Sequence, residues 1–271
     1  MLSHPSADET PVVVEVPHAG LGVPPHFANA LLAPVRAIAR DADLFVDELY
    51  AASCEVGASL LVSRVSRYVV DLNRAETDVD AETVLGAPVQ PRAPRGVVWR
   101  LTTENERSIA GPLTPAELEA RLDQIHRPYH AALAETVRRK IERFGVCVVL
   151  AAHSMPSVGR SGHGDTNVQR ADVVPGTQGR TTAAGSLIET VERHAQASGL
   201  SVRHDEPYRG GYTTRHWGRP SHGVHAVQVE IARRLYMDEA ALLKTETFAA
   251  MQNFARELVR KLGEAAFAVR A

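Results

Sequence analysis

The chain has 271 residues, 44% of them hydrophobic, which is enough to bury the core of one large α/β domain. The charges nearly cancel at −2, so no basic footprint points to nucleic acid and no acidic tail to a tether. The two cysteines stand far apart in apolar stretches, no run approaches the ~18 apolar residues of a membrane helix, and the N-terminus lacks a signal-peptide pattern; the expectation is a cytoplasmic protein that contacts neither nucleic acid nor membrane.

Residues 1–10 are polar and expected to be flexible. VVVEV, bounded by prolines at 11 and 17, reads as a strand. Apolar residues at 44, 45, 49 and 52 give residues 40–58 helical spacing that stops at Gly57. SLLVSRVSRYVVDLN (59–73) holds one or two strands. Residues 75–113 are rich in Pro and Gly and read as a long irregular excursion. Thr114 and Pro115 then open a helix that keeps its period to Gly145, with a kink expected at Pro128. VCVVLAAH (146–153) is a strand. A glycine-rich loop (156–185), a helix near 184–198, a strand over LSVRHDEP, a strand over 225–237 and a closing helix complete the chain. Strands alternating with helices predict a single α/β domain, its mixed, mostly parallel sheet covered on both faces.

In such sheets ligands gather at the carboxyl ends of the strands. His18 follows VVVEV, Asn73 and Arg74 follow YVVDL, His153 ends VCVVLAAH, and Glu230 lies near the end of AVQVEI on the same face as Gln228. Four strands are thus expected each to bring polar groups to one rim. Two imidazoles and one carboxylate make a catalytic zinc site with an open position for water. The carboxylate is available in RDADLFVDELY, from Asp41, Asp43, Asp47 or Glu48. A second carboxylate can serve as general base, Arg74 offers a planar fork to a substrate carboxylate, and Asn73 adds a neutral donor. Ser154 lacks a GxSxG elbow and is no candidate nucleophile.

VPHAG, DADLFVDELY, SRYVVDLNR, AAHS, RGGYTTRHWGRP and GVHAVQVEIARRLYMDE, in that order over residues 12–260, resemble the signature blocks of the N-formylglutamate amidohydrolase family. The resemblance implies a three-layer α/β/α fold similar to the zinc carboxypeptidases and aspartoacylase. It also implies hydrolysis of N-formyl-L-glutamate to glutamate and formate, often the last step of histidine degradation. One zinc ion per chain is implied at His18 and His153, with Glu230 similar to the general base and Arg67 to the arginine that polarises the scissile carbonyl. Asn73 and Arg74 resemble the clamp on one substrate carboxylate; Arg215, Tyr212 and His216 are assigned to the other. The relatives' HxxE pattern is broken, because Leu21 stands three residues after His18. Asp43 is taken as the third ligand, with Asp41 as the alternative.

Bland readings stand beside these. Asp43 suits a helix N-cap, and Arg67 suits a structural pair with Asp71 or Glu55. His126 and His130 have the i, i+4 spacing of half a metal site, but no third ligand accompanies them and packing explains them better. Residues 159–176 read equally well as a structured rim loop or a substrate lid. A deacylase of another N-acyl amino acid or small peptide and a non-catalytic metal-binding module are the competing functions. Composition leaves the oligomeric state open.

Overall fold

The computed structural model describes residues 1–88 and 94–269; residues 89–93 of the irregular excursion lie outside the described residues. In chain order, β1 (Leu2–Ser3) and β2 (Val12–Val16) precede the short helices α1 (Pro25–Ala28), α2 (Val35–Asp41) and α3 (Val46–Leu49). β3 (Ser59–Val62), α4 (Pro115–Arg121), α5 (Arg127–Phe144), β4 (Cys147–Met155), β5 (Val173–Gly176), α6 (Gly185–Ala197), α7 (Tyr212–Trp217), β6 (Val224–Ala232), the small hairpin β7 (Met237–Asp238) and β8 (Leu243–Lys244), and α8 (Phe248–Ala266) follow.

Six strands form one sheet in the order β1-β3-β2-β4-β6-β5. β3, β2, β4 and β6 are mutually parallel, and the edge strands β1 and β5 run antiparallel. The sheet is mixed and mostly parallel, as expected. β2 and β4 are buried at every residue, the sign of a sheet covered on both faces. One face packs Val12, Val14, Leu150 and Val227 against α6 and α8, through Leu187, Val191, Leu258 and Leu262. The other packs Val13, Val149 and Ala226 against α5, through Leu133 and Val137. This is the three-layer α/β/α arrangement.

Several local expectations are corrected. Residues 1–10 are tied to the sheet edge: Leu2 pairs with Leu61, Ser3 with Leu60, and the backbone of Ser6 and Thr10 donates to Cys54 and Gly57. Only Ser59–Val62 of the 59–73 stretch is a strand, so Asn73 and Arg74 do not follow one. Their segment carries three charged side chains within eight residues (Arg67 and Arg74 bracket YVVDLN, and Asp71 lies inside it), and tertiary contacts replace a ladder. LSVRHDEP supplies only an isolated bridge from Val202 to Val173, and β5 lies inside the segment read as a glycine-rich loop. β6 stops at Ala232, where Arg233–Leu235 wind into a 3₁₀ turn. The helix read over 40–58 breaks between α2 and α3, leaving Asp43 in the connection.

Thr114 caps α4 with a reciprocal box through Glu117. The irregularity expected at Pro128 takes the form of a π turn, Leu122–His126, closed by the Arg127 N–H on Leu122 O. A proline ring crowds the carbonyl four residues back, and a widened turn relieves that contact.

Candidate active site

β4 and β6 run in register, with His153 opposite Glu230 and Ala151 opposite Gln228. Because side chains alternate, His153, Gln228 and Glu230 emerge on the same sheet face near the carboxyl ends. His153 lies inside β4 and not at its tip, since the strand continues to Met155. His18 arrives just past β2, and its carbonyl accepts from the Asp43 N–H at 3.0 Å. That bond brings the α2–α3 connection to the rim.

The three side chains converge. Asp43 Oδ2 lies 3.0 Å from His153 Nδ1 and 3.6 Å from His18 Nδ1, and all three residues are buried. Ligands held 2.0–2.1 Å from a tetrahedral zinc ion stand roughly 3.3 Å apart, between these two distances. His18 Nε2 donates to Asp71 Oδ1 at 2.8 Å, which leaves the lone pair of the neutral imidazole on Nδ1. That Nδ1 is buried and has no hydrogen-bond partner. The other oxygen of Asp43 is held by Arg233 Nη2 at 3.1 Å, leaving Oδ2 facing the two rings. An orphaned imidazole nitrogen, a second imidazole and a carboxylate oxygen at such separations suit a divalent ion. Asp41 is not in this set: its carboxylate accepts from Tyr68 Oη, Thr103 and Arg160.

The sequence offered Asp71 only as a structural partner for Arg67, a pair that the structure contains, and gave it no role toward His18. Asp71 is fully buried and takes the His18 ring and the Asn73 N–H on Oδ1, and Arg67 and Trp99 Nε1 on Oδ2. Burial raises its pKa, but Arg67 and His18 outweigh that and hold the carboxyl well below its usual range. Its bond to His18 has the form of the carboxylate–histidine pair that orients metal-binding imidazoles. Burial also opposes charge on His153, yet the hydrogen bond to Asp43 and the charge of Glu230 lift it to about 8.

Glu230 is buried, and burial, reinforced by the Asp43 charge, raises its pKa. Glu15 on β2 is a second fully buried, raised carboxyl, held by Tyr129 Oη at 2.5 Å. Glu230 borders the cavity beside the histidines and Glu15 does not, which separates the two.

That cavity, about 480 Å³, falls within the ordinary range of small-ligand sites. Its wall includes His18, Asp43, His153, Glu230, Arg67, Asn73, Arg74 and Arg215, together with Arg209. Tyr212 and His216 do not line it; they pack against each other, with Tyr212 also against His130 and His216 against Trp217. Arg67 commits Nε and Nη2 to Asp71 and stacks 4.2 Å over Trp99, so Nη1, with one long 3.4 Å bond to Asp41 O, is its free edge. The Asn73 amide is occupied as well, donating to Gln228 Oε1 and accepting from the Thr213 N–H. Gly211 is required there, because a Cβ would stand 2.2–2.4 Å from that amide. Among the described residues Arg74, Arg209 and Arg215 enter no ion pair, whereas Arg40, Arg67, Arg160 and Arg233 on the same wall each hold an acid. Residues 159–164 form a bonded rim: Arg95 donates to Gly162 O, Gly162 N to Thr103 O, and Arg160 to Asp41.

A family model for N-formylglutamate amidohydrolase matches residues 10–237. The N-formylglutamate deformylase of Pseudomonas putida is 30% identical over 253 residues, covering 91% of this chain and 87% of the relative. That of Pseudomonas aeruginosa is 31% identical over 258 residues, covering 93% and 92%. The crystal structure of N-formylglutamate amidohydrolase from Ralstonia eutropha JMP134 superposes with a TM-score of 0.88 at 30% identity, covering 97% of this chain and 96% of that one. Among the described residues no helix is long and apolar enough to cross a membrane. The chain belongs to the N-formylglutamate amidohydrolase family.

Proposed function

We propose that this protein hydrolyses N-formyl-L-glutamate to L-glutamate and formate, with a zinc ion held by His18, Asp43 and His153 and with Glu230 as general base. The observation that carries the reading is the convergence of an orphaned His18 Nδ1, His153 Nδ1 and Asp43 Oδ2 beside Glu230, on a cavity wall where, among the described residues, Arg74, Arg209 and Arg215 enter no ion pair. Zinc supplies Lewis acidity and a water that ionises near neutral pH.

The chain's own residues account for the remaining chemistry. Glu230 accepts a proton as the water oxygen attacks the formyl carbon, and returns it to the nitrogen as the C–N bond breaks. Its raised pKa suits both transfers near neutral pH. Arg67 Nη1 faces the charge that develops on the carbonyl oxygen, an effect worth roughly 2.7–4 kcal/mol per donor. The substrate has two carboxylates. Arg74 takes one, and Arg215 with Arg209 takes the other, in place of Tyr212 and His216. Asn73 acts by fixing the backbone beside Arg74 and not by direct contact, because its amide is already bonded. The names of the relatives, at 30–31% identity over nearly the whole chain, support the same substrate.

The test is a panel of formyl-, acetyl- and succinyl-amino acids scored by released amine. N-formylglutamate is expected to give the highest kcat/KM, with monocarboxylate formyl-amino acids at least ~10-fold lower for the loss of one charge-assisted contact. Equal turnover of acetyl or monocarboxylate substrates would refute this substrate assignment in favour of a broader deacylase.

A further inference from the structure

Asn73 and Arg74 sit on backbone that belongs to no strand, yet Leu72 and Asn73 are buried. Buried carbonyls outside a ladder need other donors. Here three successive carbonyls each have one. His130 Nε2 donates to Leu72 O at 2.9 Å, the Tyr212 N–H to Asn73 O at 3.2 Å, and His126 Nε2 to Arg74 O at 2.9 Å. A carbonyl only accepts, so both imidazoles carry their proton on Nε2.

Both rings come from the far layer. The π turn Leu122–His126 carries His126 onto the face from which α5 presents His130, and the ring centroids stand 4.4 Å apart. His126 is 2% exposed, and its Nδ1 makes no hydrogen bond. His130 also packs edge-on against Tyr212, the residue that holds the middle carbonyl. Neither histidine lines the cavity, and neither belongs to the metal-type cluster. Their contacts converge on the dipeptide whose arginine reaches the cavity wall.

We infer that His126 and His130 are positioning residues for the substrate-carboxylate clamp: their Nε2–H groups grip the carbonyls on either side of Asn73 and so aim the Arg74 guanidinium into the cavity. The inference rests on Arg74 binding a substrate carboxylate, as proposed above. A contact between Arg74 and a carboxylate remote from the reacting carbon is the same in ground and transition states. Misaiming it therefore raises KM more than it lowers kcat.

The experiment is a double-mutant cycle on the metal-loaded enzyme with N-formylglutamate. His126→Phe and His130→Phe keep bulk and remove the donor, and each is expected to raise KM about 10-fold, the value of one buried hydrogen bond. kcat and bound metal are expected to stay within about 3-fold. His126→Gln and His130→Gln retain an N–H donor and should recover most of the loss. On the Arg74→Ala background the same Phe changes should leave KM where Arg74→Ala alone puts it, because they act through that side chain. If a Phe variant does not fold, the Leu variant of the same histidine carries the test. The inference is overturned if Arg74→Ala raises KM and the histidine variants do not, or if they raise it equally on both backgrounds. Should Arg74→Ala itself leave KM unchanged, the clamp assignment falls, and this inference with it. A purely structural role would lower Tm, with KM unmoved and no rescue by Gln.

Discussion

Asp71→Asn tests how the putting-together of the rim depends on one buried carboxylate. Each oxygen of Asp71 takes two donor groups: His18 Nε2 at 2.8 Å and Asn73 N at 2.9 Å on Oδ1, Arg67 Nη2 at 2.8 Å and Trp99 Nε1 at 2.9 Å on Oδ2. An amide keeps one acceptor and turns the other into a donor. If the remaining oxygen stays with His18, the new NH2 faces Arg67 and Trp99 and leaves a mostly buried guanidinium unpaired. Removing one partner of a buried ion pair costs about 3–5 kcal/mol. Taking the lower figure, Tm should fall by roughly 6–12 °C for a domain of this size. If instead the amide nitrogen faces His18, the imidazole loses its acceptor and the tautomer with a free Nδ1 is no longer enforced. In either orientation the negative charge that raises the basicity of the His18 imidazole is gone, so metal affinity should weaken about 10- to 100-fold. Calorimetry of the metal-free variant gives the first quantity, and zinc competition against a chromophoric chelator gives the second. A variant that is destabilised but keeps zinc affinity within about 3-fold of the parent would refute the claim that the Asp71 carboxylate supports His18 as a metal ligand.

Glu230→Gln should keep stoichiometric zinc and lose about 10²- to 10⁴-fold in kcat, because it removes the proposed proton acceptor and leaves His18, Asp43 and His153 in place; loss of zinc would show that Glu230 is itself a ligand. Burial, aided by the His126 charge, pushes His130 down to about 4 from an ordinary 6.5. Between those values the unfolded chain binds a proton that the folded chain refuses, so stability should fall as pH drops from 6.5 to 4, by at most about 3 kcal/mol from this group. His130→Gln should flatten part of that Tm decline, and an unchanged slope would show that the ring is not held neutral by burial.

The sheet and much of the rim were legible because their signals are local. His18, His153 and Glu230 each interrupt or end an apolar run, which is where a buried strand has no packing reason for a charge. The pairings of Asp71 and Arg233 left no such trace: Asp71 meets His18 from 53 residues away and Arg233 meets Asp43 from 190, and a pairing between distant segments has no period. YVVDL has strand composition, yet its one charged residue, Asp71, is drawn into side-chain bonds with His18, Arg67 and Trp99 in place of a ladder. Tyr212 and His216 share a motif with Arg215, but the helix they lie on turns them away from the cavity while Gly210, Gly211 and Arg209 before it line the wall. β5 is four residues long, too short to show alternation between two turns.

The central claim is that His18, Asp43 and His153 hold the zinc ion on which hydrolysis of N-formylglutamate depends. Its most direct test is a zinc titration of metal-free protein, followed by released glutamate, for the parent chain and for Asp43→Ala. Metal-free protein should show no activity, the parent should rise linearly and saturate at about one zinc per chain, and Asp43→Ala should show no saturable rise. Full activity in metal-free protein, or an Asp43→Ala titration that matches the parent, would contradict it.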